Sequence, residues 1–241
     1  MPPPGAGGRE RMSRAVPATQ AFAWYAEAMR LWRVSPGMFA ALAAVTIGAE
    51  LLLRQIPSAG VLVSQLVVPL FECSLLYASL AADRGDRPRM RHLLAILGAP
   101  MRAQAAVIVA SVAAFAGQAF ATNQLAGIDL LAPNAFDVPV PALTTLAIIA
   151  AGVVVSLPFT FVPPIALFDD AGFTAAFRAS LAAFARNLAP LLLYAGLSLG
   201  LFLFGIVTSG LGLLLAAPWL AASSYAAWKD VFAVEAPRAA A

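Results

Sequence analysis

The basic residues of this chain occupy alternate gaps between its apolar runs. The 241 residues include 15 Lys and Arg, and all of them except Arg54 fall in one of the two alternating sets of gaps. Because Lys and Arg near short loops are retained on the cytoplasmic side of a bacterial membrane, this asymmetry predicts a multi-pass protein of the inner membrane with both termini in the cytoplasm.

Composition supports the membrane class. Hydrophobic residues make up 61% of the chain and charged residues only 11%, far from the averages of soluble domains. We therefore predict an all-α integral membrane protein, with a disordered cytoplasmic tail at 1–20, one six-span membrane domain at 21–232, and a short cytoplasmic tail at 233–241. The six transmembrane helices are predicted at residues 37–53, 60–82, 103–121, 142–168, 188–207 and 211–228.

The fourth apolar run carries a predicted helix break. It is longer than the roughly 20 residues that a span needs. Pro158, Pro163 and Pro164 interrupt its second half, and each removes a backbone donor from the helix. We expect this span to be kinked or tilted.

Three amphipathic helices are predicted on the cytoplasmic side, each before an outward-going span. Their apolar residues recur at spacings of three and four, which is typical of a helix lying at a membrane interface. The predicted stripes are Phe22, Tyr25, Met29 and Trp32; then Met90, Leu93, Leu94 and Leu97, after an N-cap at Asp86; then Phe173, Phe177, Ser180, Leu181 and Phe184, after Asp170.

These helices divide the chain into three units of one plan, each with an interfacial helix and two spans. Each second span carries a proline, then an aromatic, then an acidic residue, which suggests three parallel repeats. The alternative is that any multi-pass protein places Pro and aromatic residues near span ends. The matched residues are Pro69, Tyr77 and Asp83; Pro158, Phe168 and Asp169; and Pro218, Tyr225 and Asp230.

Three segments carry a resemblance to a known family. They are AWYAEAMRLW at 23–32, ASLAAFARNLAP at 179–190 and PWLAASSYAAWKD at 218–230. The chain resembles a family of uncharacterised proteobacterial six-span inner-membrane proteins, and it is similar in plan to the membrane domain found beside some glycerophosphodiester phosphodiesterases. The resemblance implies the fold and the location, and it implies no known activity.

Two carboxylates lie inside the apolar runs. Glu50 precedes Arg54 by four residues, so an ion pair near the outer interface is expected. Glu72 lies near the bilayer midplane, where an ionised, unpaired carboxylate costs on the order of 3 kcal/mol. It must face the protein interior, line a wet cavity, or stay protonated. The candidate neighbours are Gln104, Ser111, Gln118 and Thr160.

The strongest concentration of basic charge precedes the third span. Beside a membrane, such residues attract anionic lipid headgroups, at about 1 kcal/mol per residue, in preference to nucleic acid. The candidate headgroup-binding residues are Arg84, Arg87, Arg89 and Arg91.

Signals for an enzyme are weak. The chain has one histidine, His92, and one cysteine, Cys73, and no metal-ligand spacing or phosphate-binding glycine loop. No metal site and no cofactor are predicted. We expect a non-enzymatic membrane scaffold or lipid-interacting component; the alternative is a small-solute transporter or channel with Glu72 as an intramembrane proton or cation site.

Overall fold

The computed structural model describes residues 12–56, 59–132, 135 and 138–234. Residues 1–11 of the predicted N-terminal tail and residues 235–241 of the C-terminal tail lie outside this range. The described residues form helices, turns and loops, with no strand among them. The all-α prediction is confirmed to this extent.

The first unit contains three helices. Helix α1 (Gln20–Arg33) ends three residues before Pro36, which opens α2 (Pro36–Leu53) at a position where the missing N–H of proline is tolerated. Helix α3 (Gly60–Asp83) contains Pro69 in its interior.

The second unit begins with a 3-10 helix at Met90–Gly98, here called the 3-10 segment. Helix α4 (Met101–Ala126) ends at Gly127, whose φ of 68° places it in the left-handed conformation common after helix ends. The fourth span is interrupted: α5 (Ala142–Ser156) is followed by a 3-10 turn at Leu157–Phe159 and then by α6 (Val162–Phe168).

The third unit contains α7 (Phe173–Arg186), α8 (Leu188–Val207) and α9 (Leu213–Val231). In the described part of the chain, five helical stretches are long and apolar enough to cross a membrane; they are Pro36–Leu53, Gly60–Asp83, Met101–Ala126, Ala142–Phe168 and Leu188–Val207. The sixth predicted span corresponds to α9, which is not among them. The protein is therefore a membrane-embedded helical bundle.

The contacts between helices follow a cyclic order. Helix α1 packs against α9, the 3-10 segment against α3, and α7 against α6. Likewise α2 contacts α9, α4 contacts α3, and α8 contacts α5. The first two helices of each unit thus pack against the second span of the preceding unit, and those of the first unit pack against the second span of the third.

Helix α1 buries a different face from the predicted one. Its buried residues are Ala21, Trp24, Ala28 and Leu31, one position away from the predicted stripe, whereas Phe22 is exposed. The two alanines let α1 pack closely along α9, as small residues commonly do between helices in membranes. The sequence pattern had favoured the larger side chains.

The second and third amphipathic elements also differ from prediction. The second is a 3-10 helix that begins at Met90, and it leaves Leu94 and Leu97 exposed while Ile96 is buried. The third, α7, begins after Gly172; Asp170 is not its cap. Its buried residues are small, namely Ala176, Ser180 and Ala183, and Leu181 is exposed.

Candidate functional site

The loop between α3 and the 3-10 segment holds the basic residues selected from the sequence. Residues 84–91, which comprise this loop and the first two residues of the 3-10 segment, are here called the basic loop; Arg84, Arg87, Arg89 and Arg91 are all exposed. None of the four forms an ion pair within the described part of the chain. Their charge is therefore available to a ligand outside the protein.

Most of the other basic residues that the structure describes are already engaged. Arg30 and Lys229 pair with Asp83, and an exposed pair joins Arg102 to Asp170. Arg14 pairs with Asp230, and Arg186 donates a 2.8 Å hydrogen bond to the carbonyl oxygen of Ser13. Arg30 and Lys229 link α1 and α9 to α3 through Asp83, whereas the four arginines of the basic loop form no ion pair with a described residue.

An apolar surface adjoins the basic loop. The exposed fractions are 58% for Leu94, 64% for Leu97 and 82% for Met101. In a 3-10 helix residues three apart share a face, so Leu94 and Leu97 lie on the same side as Arg91. Ile96 points the other way and packs with Cys73 and Val107. The 3-10 segment is thus anchored by one face and exposes another that is apolar and basic.

His92 stabilises the start of the 3-10 segment. Its Nδ1 accepts a 3.0 Å hydrogen bond from the backbone N–H of Arg89. Burial of the ring lowers the pKa of His92, and the nearby Arg91 guanidinium lowers it further. The neutral imidazole is therefore the form that fits this contact.

Glu72 does not face the protein interior. Its side chain is exposed, and it has no hydrogen bond or ion pair among the described residues. Two of the four candidate neighbours bind elsewhere: Gln104 donates to the carbonyl oxygen of Ala99, and Ser111 donates to Oε1 of Gln65. Gln118 and Thr160 form no hydrogen bond with Glu72 within the described residues. Of the three possibilities given for Glu72, the exposed side chain excludes burial in the protein interior and leaves a wet cavity or a protonated carboxyl.

Glu50 and Arg54 form an ion pair at the end of α2, at the i,i+4 spacing seen in the sequence. About a third of each side chain is exposed. Glu50 therefore has a charged partner, whereas Glu72 has none among the described residues.

The three prolines of the fourth span surround its interruption. Pro158 lies in the 3-10 turn, and Pro163 and Pro164 lie in the first turn of α6, where a missing N–H costs little. Ser180 of α7 binds backbone groups that lack helical hydrogen bonds at this interruption. Its hydroxyl donates to the carbonyl oxygen of Pro158 at 2.7 Å and accepts from the N–H of Phe161 at 3.2 Å. The break is therefore held by a neighbouring helix.

Asp83 is a polar centre whose role the sequence analysis missed. Its side chain is 4% exposed. It accepts hydrogen bonds from Arg30 Nη2 at 3.0 Å, from the Tyr225 hydroxyl at 3.0 Å, and from Lys229. These contacts join α1, α3 and α9. The sequence signal that could have indicated this role is the acidic residue that recurs at the end of each second span.

The segment before α1 is held between α7 and α9. Asn187 is 1% exposed; its Oδ1 accepts from the N–H of Val16 at 2.9 Å and its Nδ2 donates to the carbonyl oxygen of Arg14 at 3.0 Å. The N–H of Arg14 donates to the carbonyl oxygen of Val231 at 2.8 Å. The packed body therefore includes part of the stretch assigned to the tail.

The aromatic residues matched between the three predicted units meet at one place. Phe168 contacts Tyr77, Tyr225 and Trp228, with ring centroids 5.8, 5.9 and 5.2 Å away. These four residues are here called the aromatic cluster. They join the second spans of all three units.

No cluster in the described residues has the composition of a metal site, which needs at least three His, Cys, Asp or Glu side chains. A shallow depression of about 560 Å³ lies between α1 and α9. Its charged residues pair with protein groups: Arg14 with Asp230, Glu27 with Arg30, and Lys229 with Asp83. The basic loop is thus the stronger candidate for binding a charged ligand.

Comparisons with protein-family models, with curated proteins and with solved structures give no match for this chain.

Proposed function

We propose that this chain is a six-span protein of the bacterial inner membrane that binds anionic lipid headgroups and acts as a non-enzymatic scaffold or lipid-interacting component. The observation that carries the proposal is the basic loop itself: four exposed arginines that form no ion pair with any described residue, next to the exposed Leu94 and Leu97. A phospholipid offers both an anionic headgroup and an apolar chain to such a surface.

Binding of lipid by the purified protein tests this function. In detergent, we expect retention of anionic over zwitterionic phospholipid, measured by native mass spectrometry. The variant Arg87→Glu/Arg91→Glu should bind anionic lipid about thirty-fold more weakly, since each basic residue contributes about 1 kcal/mol.

Arg33 and Arg178 supply a matched control. Both are exposed and have no ion pair in the described residues, but they lie on α1 and α7. Arg33→Glu/Arg178→Glu makes the same change in net charge and should preserve most of the binding. If both double variants lost anionic-lipid binding equally, the binding would depend on net charge in general and not on a local site.

The count of six spans draws support from the contact between Arg14 and Val231. Residues that share a hydrogen bond lie on the same side of a membrane, so the chain between them crosses an even number of times. Five apolar stretches alone would leave them on opposite sides. Helix α9 supplies the sixth crossing. Its lower hydropathy follows from its central position, because it contacts α1, α2, α3, α6 and α8 rather than lipid alone.

Cysteine accessibility tests this topology. In a Cys73→Ala background, Ala18→Cys and Ala233→Cys should both resist an impermeant maleimide in spheroplasts and react after lysis. Asn123→Cys, at the outer end of α4, should react without lysis. Reaction of only one of the two terminal positions in intact spheroplasts would exclude an even number of spans.

We also propose that the three units are parallel repeats around a pseudo-threefold axis. Two independent observations support this. The contacts between units are cyclic, and the aromatic cluster joins Tyr77, Phe168 and Tyr225, the residues at matched positions of the second spans. The resemblance to proteobacterial inner-membrane proteins is compatible with this arrangement and stays a prediction.

A second candidate function is a small-solute transporter or channel with Glu72 as its ion site. The interruption at Leu157–Phe159 favours it, because irregular backbone at membrane depth often borders a path through a protein. A proton or cation flux through wild-type protein in proteoliposomes, if the variant Glu72→Gln abolished it, would support this function. Absence of flux in the wild-type protein would remove it.

A further inference from the structure

We propose that Glu72 is a proton-binding site that faces the hydrocarbon of the bilayer. The proposal concerns a group that the lipid-binding function does not use. It rests on the membrane crossing of α3 and not on the basic loop.

The position of Glu72 along α3 places it deep in the membrane. It lies twelve residues after Gly60 and eleven before Asp83, the first and last residues of the helix. At 1.5 Å per residue, Glu72 is roughly 17 Å from either end. The Asp83 end is fixed at one surface by its contacts with Arg30 and Lys229.

The direction of Glu72 follows from its neighbours on α3. Leu62 and Leu66, about three and two turns earlier on α3, are exposed. Cys73, the next residue, is covered by Ile96 of the 3-10 segment. Gln65 lies two turns before Glu72 on the same side, and it bonds to Ser111 of α4. Glu72 therefore lies beside the contact between α3 and α4, and the 3-10 segment that covers Cys73 does not cover Glu72.

No charged group neutralises Glu72 within the described residues. The elements packed against α3 are α1, α2, the 3-10 segment, α4 and α9. None of their charged or titratable side chains forms a hydrogen bond or ion pair with Glu72. These side chains are Tyr25, Glu27, Arg30 and Arg33 on α1; Glu50 on α2; Arg91 and His92 on the 3-10 segment; Arg102 on α4; and Tyr225, Lys229 and Asp230 on α9.

A carboxyl group in this position is more stable with its proton than without it. Hydrocarbon offers neither a counter-charge nor hydrogen-bond donors, so the ionised form is strongly disfavoured. Proton uptake removes the charge without requiring a partner helix. Glu50 has the other solution, an ion pair with Arg54 near the end of its helix.

Dicyclohexylcarbodiimide, which dissolves in the bilayer, provides the test. A protonated carboxyl adds across one C=N bond of the reagent: the carboxyl oxygen bonds to carbon and the proton goes to nitrogen. The resulting O-acylisourea rearranges to an N-acylurea that keeps every atom of both reactants. The product is therefore a stable mass increase, located by peptide mass spectrometry of wild-type protein in liposomes.

We expect the adduct on Glu72 and not on Glu50, and we expect it to persist at a pH where carboxyl groups in water are ionised. The variant Glu72→Gln should lose it. A water-soluble carbodiimide should modify the exposed Asp86 and leave Glu72 unmodified, because only the first is outside the membrane.

Two outcomes would overturn the proposal. One is a folded wild-type protein that acquires no adduct at Glu72. The other is modification of Glu72 by the water-soluble reagent as fast as Asp86, which would place it in an aqueous cavity. Arg87→Glu/Arg91→Glu should label normally, so loss of lipid binding and loss of the proton site are separable.

Discussion

Phe168 meets Tyr77 edge to face, with ring centroids 5.8 Å apart and ring planes at 88°. Phe168 repeats this geometry with Tyr225, at 5.9 Å and 89°. Such edge-to-face pairs stabilise packed aromatic groups beyond the area that they bury. One ring on α6 thus connects the second spans of the first and third units.

Removing this ring should destabilise the whole bundle. We expect Phe168→Ala to lower the free energy of unfolding by about 3 kcal/mol, because its contacts with three aromatic rings are lost together. Thermal unfolding in detergent measures the change. Phe120→Ala, at a ring that is 69% exposed on α4, is the control and should change little. Equal effects would mean that the aromatic cluster does not organise the bundle.

Removing the charge of Asp83 should also be costly. Asp83→Asn leaves the Lys229 ammonium, which is 18% exposed, without its counter-charge, and we expect a loss of about 3 kcal/mol. The matched control is Asp170→Asn, which breaks the solvent-exposed pair with Arg102 and should have little effect. Similar unfolding temperatures for Asp83→Asn and the wild type would contradict the central role of Asp83.

Acidification should loosen the start of the 3-10 segment. The pKa of His92 is lowered in the folded protein by burial and by Arg91, so the unfolded chain takes up this proton more readily. Stability is then unaffected well above the ordinary histidine pKa of about 6.5 and falls as the pH drops through that value. Protonation of Nδ1 also removes the acceptor for the Arg89 N–H.

Hydrogen exchange of the Arg89 amide measures this effect. Its protection should be lower at about pH 5.5 than at about pH 7.5, after correction for the intrinsic exchange rate. In His92→Ala the protection should be low at both values. A wild-type amide with unchanged protection would show that His92 does not control the segment.

Asn187 should control the segment before α1. Asn187→Ala removes its hydrogen bonds to Val16 and to the Arg14 carbonyl, and we expect a loss of about 2 kcal/mol. Trypsin should then cleave after Arg14 much faster than in the wild type. Asn123→Ala, at an exposed residue, should leave the cleavage rate unchanged.

The cyclic contacts predict that the chain tolerates a cut between units. Fragments 1–85 and 86–241, produced together, should assemble, because α1 and α3 contact α9 and the 3-10 segment packs on α3. Co-purification through a tag on one fragment measures assembly. Adding Asp83→Asn to the first fragment should weaken the assembly of the two fragments. Unchanged co-purification with this variant would contradict the proposed cyclic contact between the first and third units.

Local rules predicted the features that depend on neighbours in sequence. Proline chemistry placed the interruption of the fourth span, and the i,i+4 spacing gave the contact between Glu50 and Arg54. The face of α1 could not be predicted, since close packing with α9 selects Ala21 and Ala28 over the larger Phe22. The partners of Asp83 and the direction of Glu72 likewise depend on distant helices, and a single sequence does not show which residues those helices bring near.

The contact between α1 and α9 has a consequence for biosynthesis. The ribosome makes α1 well before α9, so α1 is present during the insertion of every intervening span before its main partner exists. During that interval Asp83 lacks Lys229 and Tyr225. A chain in which α9 is not yet inserted therefore exposes the surfaces of α1 and α3 that α9 covers in the folded protein.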